Sequence, residues 1–309
     1  MGIMRGFFIY LSRRRDLEGL FMKFGPTRNL AMRFVAGEKL EDAIRVVAEL
    51  NKKKIFGTLD HLGENVNSEE EATRAADEYL RILDEIEKNK IKSHASLKLT
   101  QMGLDIDSDF CLDNVRRVVE RAARYNNFVR IDMEDSSYTD RTLEIFFKLH
   151  EEFGNHVGIV IQAYLYRSED DIKELIKVGA NVRLCKGAYK EPPEVAFPKK
   201  KDVDANYIKL MKMLLDAHEK GVHTAIATHD ENIINFALNY VKSNSIPEGK
   251  YEFQMLYGIR RDLQFKLADK GYTMRVYIPY GTEWYPYFMR RLAERPANVF
   301  FVVKNLFKG

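Results

Sequence analysis

From residue 55 onward the chain alternates between two patterns, and this restricts its fold more than any other feature. Short runs rich in β-branched and aromatic residues occupy 55–59, 94–99, 128–133, 157–162, 181–184, 224–227, 251–255 and 275–278. Each is followed by a longer stretch with apolar residues at helical spacing, such as Ala72, Ala75, Tyr79, Leu83 and Ile86, or Val115, Val118, Val119 and Ala122. Strands separated by helices of this length pair in parallel through βαβ crossovers. Eight such units in about 250 residues are the number that closes a (β/α)8 barrel. An open doubly wound sheet is the alternative arrangement. No Pro-, Gly- or Ser-rich linker divides the units, so the expected α/β architecture is a TIM-type barrel over 55–309, preceded by an N-terminal helical arm over 1–54. Within the arm, Leu40, Ala43, Ile44, Val47 and Leu50 share one helix face, and Lys52, Lys53 and Lys54 suit its carboxyl end. Ser68 with Glu71 reads as a capping box opening the first barrel helix.

A closed barrel needs a large apolar core, and 45% of the 309 residues are hydrophobic. The 49 basic and 46 acidic residues leave a formal charge of +3, without the basic stripe and interleaved aromatics of a nucleic-acid binder. Cys111 and Cys185 have no metal-ligand spacing and read as free thiols in a reducing, cytoplasmic setting. No apolar run reaches the roughly 20 residues of a membrane span. The opening GFFIYL run, followed by SRRR, lacks a cleavage signature and reads as a packed or amphipathic segment, with an interfacial membrane contact as the second reading.

Barrel chemistry collects at the carboxyl ends of the strands. Those ends carry Lys98, Asp132, Gln162, Arg183 with Lys186, Thr228 with His229, Gln254, and Tyr277. Branched apolar residues usually fill a barrel, so polar residues at nearly every end point to a shared site. After the last strand, Pro279-Tyr280-Gly281 is expected to break the strand, and a helix then presents Arg290 and Arg291 with Glu294 one turn on. Planar guanidinium forks suit a carboxylate or phosphate. A solvated Arg–Glu pair within the helix is the plainer reading. Cations outnumber anions in this set, which favours an anionic ligand. Asp132 is expected to fix a neighbouring cation. Lys98 is either its partner or a Schiff-base lysine as in barrel aldolases. His223 and His229 lack a third ligand, so no metal site is expected, and His61 and His94 read as packing or hydrogen-bonding residues. The glycine-rich phosphate cradles GxGxxG and GxxxxGK[ST] are absent.

The stretches SLKLTQMGL (96–104), RIDMEDS (130–136), IQAYLYRS (161–168), RLCKGAYKE (183–191), ATHD (227–230), EFQMLYGIR (252–260) and RVYIPYGTEWYPYFMRRLAERPAN (275–298) resemble the proline dehydrogenase family, in family order. Cys185 departs from the aliphatic residue usual there, a small hydrophobic exchange. The resemblance implies a barrel that binds FAD without a Rossmann fold and oxidises L-proline to Δ1-pyrroline-5-carboxylate, with hydride passing to flavin N5. It implies that Lys98, Arg290 and Arg291 hold the substrate carboxylate. Tyr189, Leu256 and Tyr277 would pack on the pyrrolidine ring, and Asp132 would order the cations. Arg183 would sit beside the flavin, with Met133, Gln162, Lys186, Gly187, Ala188, Thr228, His229 and Glu294 around the cofactor. A quinone, reached at a membrane surface, is the implied electron acceptor, with Lys199, Lys200 and Lys201 or the GFFIYL segment as contact points. Functional coupling to a pyrroline-5-carboxylate dehydrogenase follows from the product. A lysine aldolase, a carboxylate-binding barrel without catalysis, and another flavin barrel such as methylenetetrahydrofolate reductase are the competing readings.

Overall fold

The computed structural model describes residues 31–294, and the side chains of Ala293 and Glu294 lie outside that description. The GFFIYL segment, residues 1–30 in general and residues 295–309 therefore lie outside the described residues.

Eight parallel strands close in sequence order into a barrel, β8 pairing with β1. The order is α1 (Leu40–Asn51), β1 (Ile55–His61), α2 (Glu69–Lys88), β2 (Ser93–Leu97), α3 (Ser108–Arg124), β3 (Val129–Ile131), α4 (Thr139–Phe153), β4 (Val157–Gln162), α5 (Ser168–Lys177), β5 (Asn181–Cys185), α6 (Lys200–Asp216), β6 (His223–Ala227), α7 (Glu231–Ser243), β7 (Tyr251–Leu256), α8 (Arg261–Asp269), β8 (Met274–Tyr280) and α9 (Trp284–Glu294). The closed barrel, rather than the open sheet, is the outcome.

Side chains alternate along each strand. Leu97, Ile131, Ile159, Ile161, Val182, Leu184, Ile226, Phe253, Val276 and Ile278 turn outward and are buried under the helices. Leu40, Ala43, Ile44, Val47 and Leu50 of α1 join the same buried cluster, so this part of the expected arm packs directly on the barrel. α2 starts as expected: the Glu71 N–H donates to Ser68 Oγ at 3.2 Å. The reciprocal bond differs by one residue, because the Glu71 side chain accepts from the Asn67 N–H at 2.9 Å instead of from Ser68.

β8 corrects one expectation. The strand runs on through Pro279 to Tyr280, in register with Asp60 and His61 of β1. The physical reason is directional. Tyr277, of the same parity as Pro279, faces β7 and accepts from the Tyr257 N–H at 2.9 Å, and β7 pairing ends there. The missing N–H of Pro279 therefore falls where no strand needs it. Its carbonyl accepts from the Ala36 N–H at 2.8 Å, and the Gly281 N–H donates to Gly37 O at 3.0 Å. These bonds seat residues 31–37 beside α9, where Ala31, Phe34 and Val35 form a second buried cluster with Trp284, Tyr285, Phe288, Met289 and Leu292. Gly258 permits that seating, since a Cβ there would stand 1.8 Å from Arg33 O.

Candidate active site

The inward face of the barrel is polar where most barrels are aliphatic. Bonds between strands that are not neighbours place these side chains in the interior. Arg183 of β5 donates from Nη1 to Asp132 Oδ1 at 2.6 Å and to Ser96 Oγ at 3.2 Å, and from Nε to Gln254 Oε1 at 2.6 Å. Asp132 also accepts from Ser96 Oγ at 2.8 Å and from the Tyr277 hydroxyl at 2.9 Å. Asp132 thus orders Arg183 and Tyr277 together, and the guanidinium carbon of Arg183 lies 5.4 Å from the Tyr277 ring centre.

Lys98 does not pair with Asp132. Its ammonium sits 3.0 and 3.1 Å from the two oxygens of Asp60, and both side chains are buried. Burial opposes the Lys98 charge, but Asp60, then Asp132 and Glu64, outweigh it and hold the amine above its ordinary value. A Schiff-base lysine needs the opposite shift. Burial pushes the Asp60 carboxyl up and Lys98 draws it back, and contact through both oxygens fits an ionised pair.

Arg290 meets Glu64, on the segment after β1: Nη2 donates to Oε1 at 2.6 Å and Nη1 to Oε2 at 3.2 Å. Arg291 lies with its guanidinium carbon 5.1 Å from the ring of Tyr287, one turn back on the same helix. Tyr189 is brought among Glu64, Arg290, Glu134 and Lys98, the charged groups that act on its hydroxyl, while burial pushes its ionisation up. Leu256 is in register with Tyr277, and its N–H donates to His229 Nε2 at 3.0 Å, which leaves the other ring nitrogen of a neutral His229 to carry the proton.

The loop after β5 is strapped down at both ends. Lys186 donates to Asp204 Oδ1 at 2.5 Å and Asp230 Oδ2 at 2.8 Å. Asp230 has a second task, since its other oxygen caps α7 through the Asn232 N–H at 3.2 Å. Glu191 accepts from the Ser136 N–H and hydroxyl at 2.8 and 2.6 Å and from the Tyr164 hydroxyl at 3.2 Å. Between these anchors Gly187 adopts φ +107°, and a Cβ there would lie 2.4 Å from the Tyr164 ring. Ala188 and Tyr189 follow, both half-buried. Thr228 is buried and accepts from the Asp230 N–H at 3.1 Å, and Met133 is buried just past β3. Gln162 ends β4, 3% exposed, and its Oε1 meets no donor among the described residues. The Glu294 side chain lies outside them.

Among the described residues, most of the expected positive charge is met by carboxylates. Lys98, Arg183, Lys186 and Arg290 each face a carboxylate, from Asp60, Asp132, Asp204 with Asp230, and Glu64. Asp60 is discoverable, because β1 is the one strand whose end the strand-end set leaves out. Glu64 and Asp204 come from loop and helix positions with no period to betray them. His61 and His94 pack on rings, Tyr280 at 5.2 Å and Phe128 at 4.9 Å between centres.

The proline dehydrogenase family model matches residues 43–304, which contain every strand of the barrel. Proline dehydrogenase 1 of Bacillus subtilis subsp. natto is 45% identical over 306 residues, 99% of this chain and 100% of its own. Proline dehydrogenase of Deinococcus radiodurans is 47% identical over 285 residues, 91% of each chain. Among solved structures, proline utilization A from Bdellovibrio bacteriovorus, described as inactivated by N-propargylglycine, superposes with a TM-score of 0.81 at 31% identity, over 86% of this chain and 32% of that longer one. The polar barrel mouth and these likenesses point the same way: the chain belongs to the proline dehydrogenase family.

Proposed function

We propose that the protein oxidises L-proline to Δ1-pyrroline-5-carboxylate with a bound FAD and hands the electrons to a quinone. The observation that carries this reading is the clasp of Glu64 by Arg290 beside Lys98 and Tyr189. A fork that holds an internal carboxylate at the mouth is built to exchange it for a substrate carboxylate. Arg290, Lys98 and Arg291 then bind the proline carboxylate, and Tyr189, Leu256 and Tyr277 enclose the ring. Fixing one end of a small rigid ring fixes the carbon at the other end, which is how binding is converted into orientation.

The residues present fit a flavin. Gln162 offers a buried acceptor in want of a donor, and a flavin ring has an N–H along one edge. Lys186 keeps one ammonium N–H beyond the two that Asp204 and Asp230 take. Met133, Gln162, Arg183, Lys186, Gly187, Ala188, Thr228 and His229 would hold the cofactor, with Glu294 closing the set. When bound, FAD supplies the two-electron acceptor for a hydride from the ring carbon next to nitrogen. Arg183, fixed by Asp132 and Gln254, provides preorganised positive charge for the electrons that arrive. Asp132 does this indirectly, by holding Arg183 and the Tyr277 hydroxyl in one arrangement.

Among the described residues no helix is long and apolar enough to cross a membrane. A cytoplasmic protein touching the membrane face reversibly would suit a quinone acceptor, and the exposed Lys199 and Lys201 are contact candidates. The product suits a pyrroline-5-carboxylate dehydrogenase as the next enzyme.

The test is an anaerobic visible spectrum of the purified protein. Flavin absorbance should bleach with L-proline and not with D-proline. A yellow protein indifferent to L-proline removes the substrate, and a protein that takes up no flavin removes the cofactor.

A further inference from the structure

Gln254 bonds Arg183, yet an amide can face either way. Its oxygen accepts and its nitrogen donates, so its neighbours decide its orientation. The Arg183 Nε–H is donor-only and needs the amide oxygen, which it meets at 2.6 Å. The Gln254 amide nitrogen must then find an acceptor, and it donates to Glu252, two residues earlier on the same inward face of β7. Glu252 is buried and clasped by Arg275, with Nε 2.9 and 3.1 Å from its two oxygens and Nη2 3.1 Å from the second. Arg275 is fixed in turn by Gly57 O, 2.8 Å from its Nη1. Burial alone would raise the Glu252 pKa. Arg275, which clasps it, outweighs that and keeps the carboxyl ionised and accept-only.

We infer that Glu252 is a positioning residue for the reaction: through Gln254 it dictates which way the Arg183 guanidinium faces. This rests on the role proposed above for Arg183. Glu252 lies deeper in the barrel than Arg183, and its hydrogen bonds run to Gln254 and Arg275. Its effect passes entirely through the donor and acceptor order of one amide.

That order makes a sharp test. In Glu252→Gln, Arg275 claims the new amide's oxygen and turns its nitrogen toward Gln254. Two donors then meet, Gln254 flips, and its nitrogen faces the Arg183 Nε–H. Adding Gln254→Glu restores an acceptor to both neighbours at unchanged total charge. The first readout needs no cofactor: the 15N–1H signal of Arg183 Nε, identified by its loss in Arg183→Lys. It should move and exchange faster with water in Glu252→Gln, and return toward its original position and protection in Glu252→Gln/Gln254→Glu. The second readout is proline-driven flavin reduction in the loaded protein, expected to slow about tenfold in the single variant and recover in the double, with proline KM little changed. If Glu252→Gln alone does not fold, Glu252→Leu/Arg275→Met removes the pair without leaving a buried charge, and should show the same shifted signal. An unmoved Arg183 signal overturns the inference. So does unchanged reduction in Glu252→Gln when Arg183→Lys is slow. If Arg183→Lys itself reduces at the normal rate, the flavin role of Arg183 fails instead, and the relay stands or falls on the signal alone.

Discussion

Glu64 lies across the guanidinium fork of Arg290, one oxygen 2.6 Å from Nη2 and the other 3.2 Å from Nη1. The two come from opposite ends of the barrel sequence, one after β1 and the other on α9. An internal carboxylate on this fork competes with any carboxylate ligand. Removing it in Glu64→Ala should lower the KM for L-proline several-fold. Arg290→Ala should raise the KM by about 10- to 100-fold with flavin retained, the usual loss for a charge-assisted hydrogen bond. Steady-state kinetics check both. Unchanged KM in both variants would detach Arg290 from substrate binding.

The Lys98–Asp60 pair predicts a different kind of loss. Both groups are buried, so Asp60→Asn leaves the ammonium without the carboxylate it is bonded to. Breaking one side of such a pair costs about 3 to 5 kcal/mol. A lower denaturant midpoint is expected, together with a higher proline KM as Lys98 loses its anchor. The Lys98→Met/Asp60→Leu pair should recover much of the stability and none of the binding. A double variant as unstable as Asp60→Asn would mean that packing, not charge, sets the cost.

Strand and helix are legible in this chain because each declares itself within about ten residues, through alternation or helical spacing. The closed barrel follows from counting them. Individual strand-end residues are legible too, since Lys98, Asp132 and Gln162 interrupt apolar runs. Their partners are not. The sequence leaves Lys98 between Asp132 and a Schiff-base role, and it pairs with Asp60; it leaves Arg290 between an anionic ligand and a pair within its own helix, and its fork meets Glu64. Which carboxylate reaches which cation depends on barrel curvature and strand register, which couple residues up to 226 positions apart. Glu252 and Arg275 are hidden for a further reason: they lie below the rim, where aliphatic filling is expected.

Gly187 should not tolerate a side chain. Its φ of +107° disfavours any L-residue, and a Cβ would meet the Tyr164 ring at 2.4 Å. Gly187→Ala should therefore cost about 1 to 3 kcal/mol and displace Ala188 and Tyr189 behind it. Thermal unfolding reads the first effect. Flavin retention on a desalting column reads the second, and full retention at normal proline KM would show the loop to be uninvolved.

Glu134 carries a pH signature. It is buried, and both its oxygens are taken by Thr100, the N–H at 3.0 Å and the hydroxyl at 2.6 Å. Burial outweighs these bonds and pushes its pKa from the ordinary 4.5 up to about 7. Sign follows from the direction. An acid whose folded pKa is raised binds its proton more tightly when folded, so its contribution to stability is complete below about pH 4.5 and is lost as pH rises toward 7. The interval is worth about 3 kcal/mol. Glu134→Gln cannot titrate, so the difference in stability between wild type and variant should slope across that window and flatten outside it. Denaturant midpoints measured from pH 4 to 8 on both proteins check this. A constant difference across the range would mean that folding leaves the Glu134 pKa unshifted, the Thr100 bonds offsetting burial.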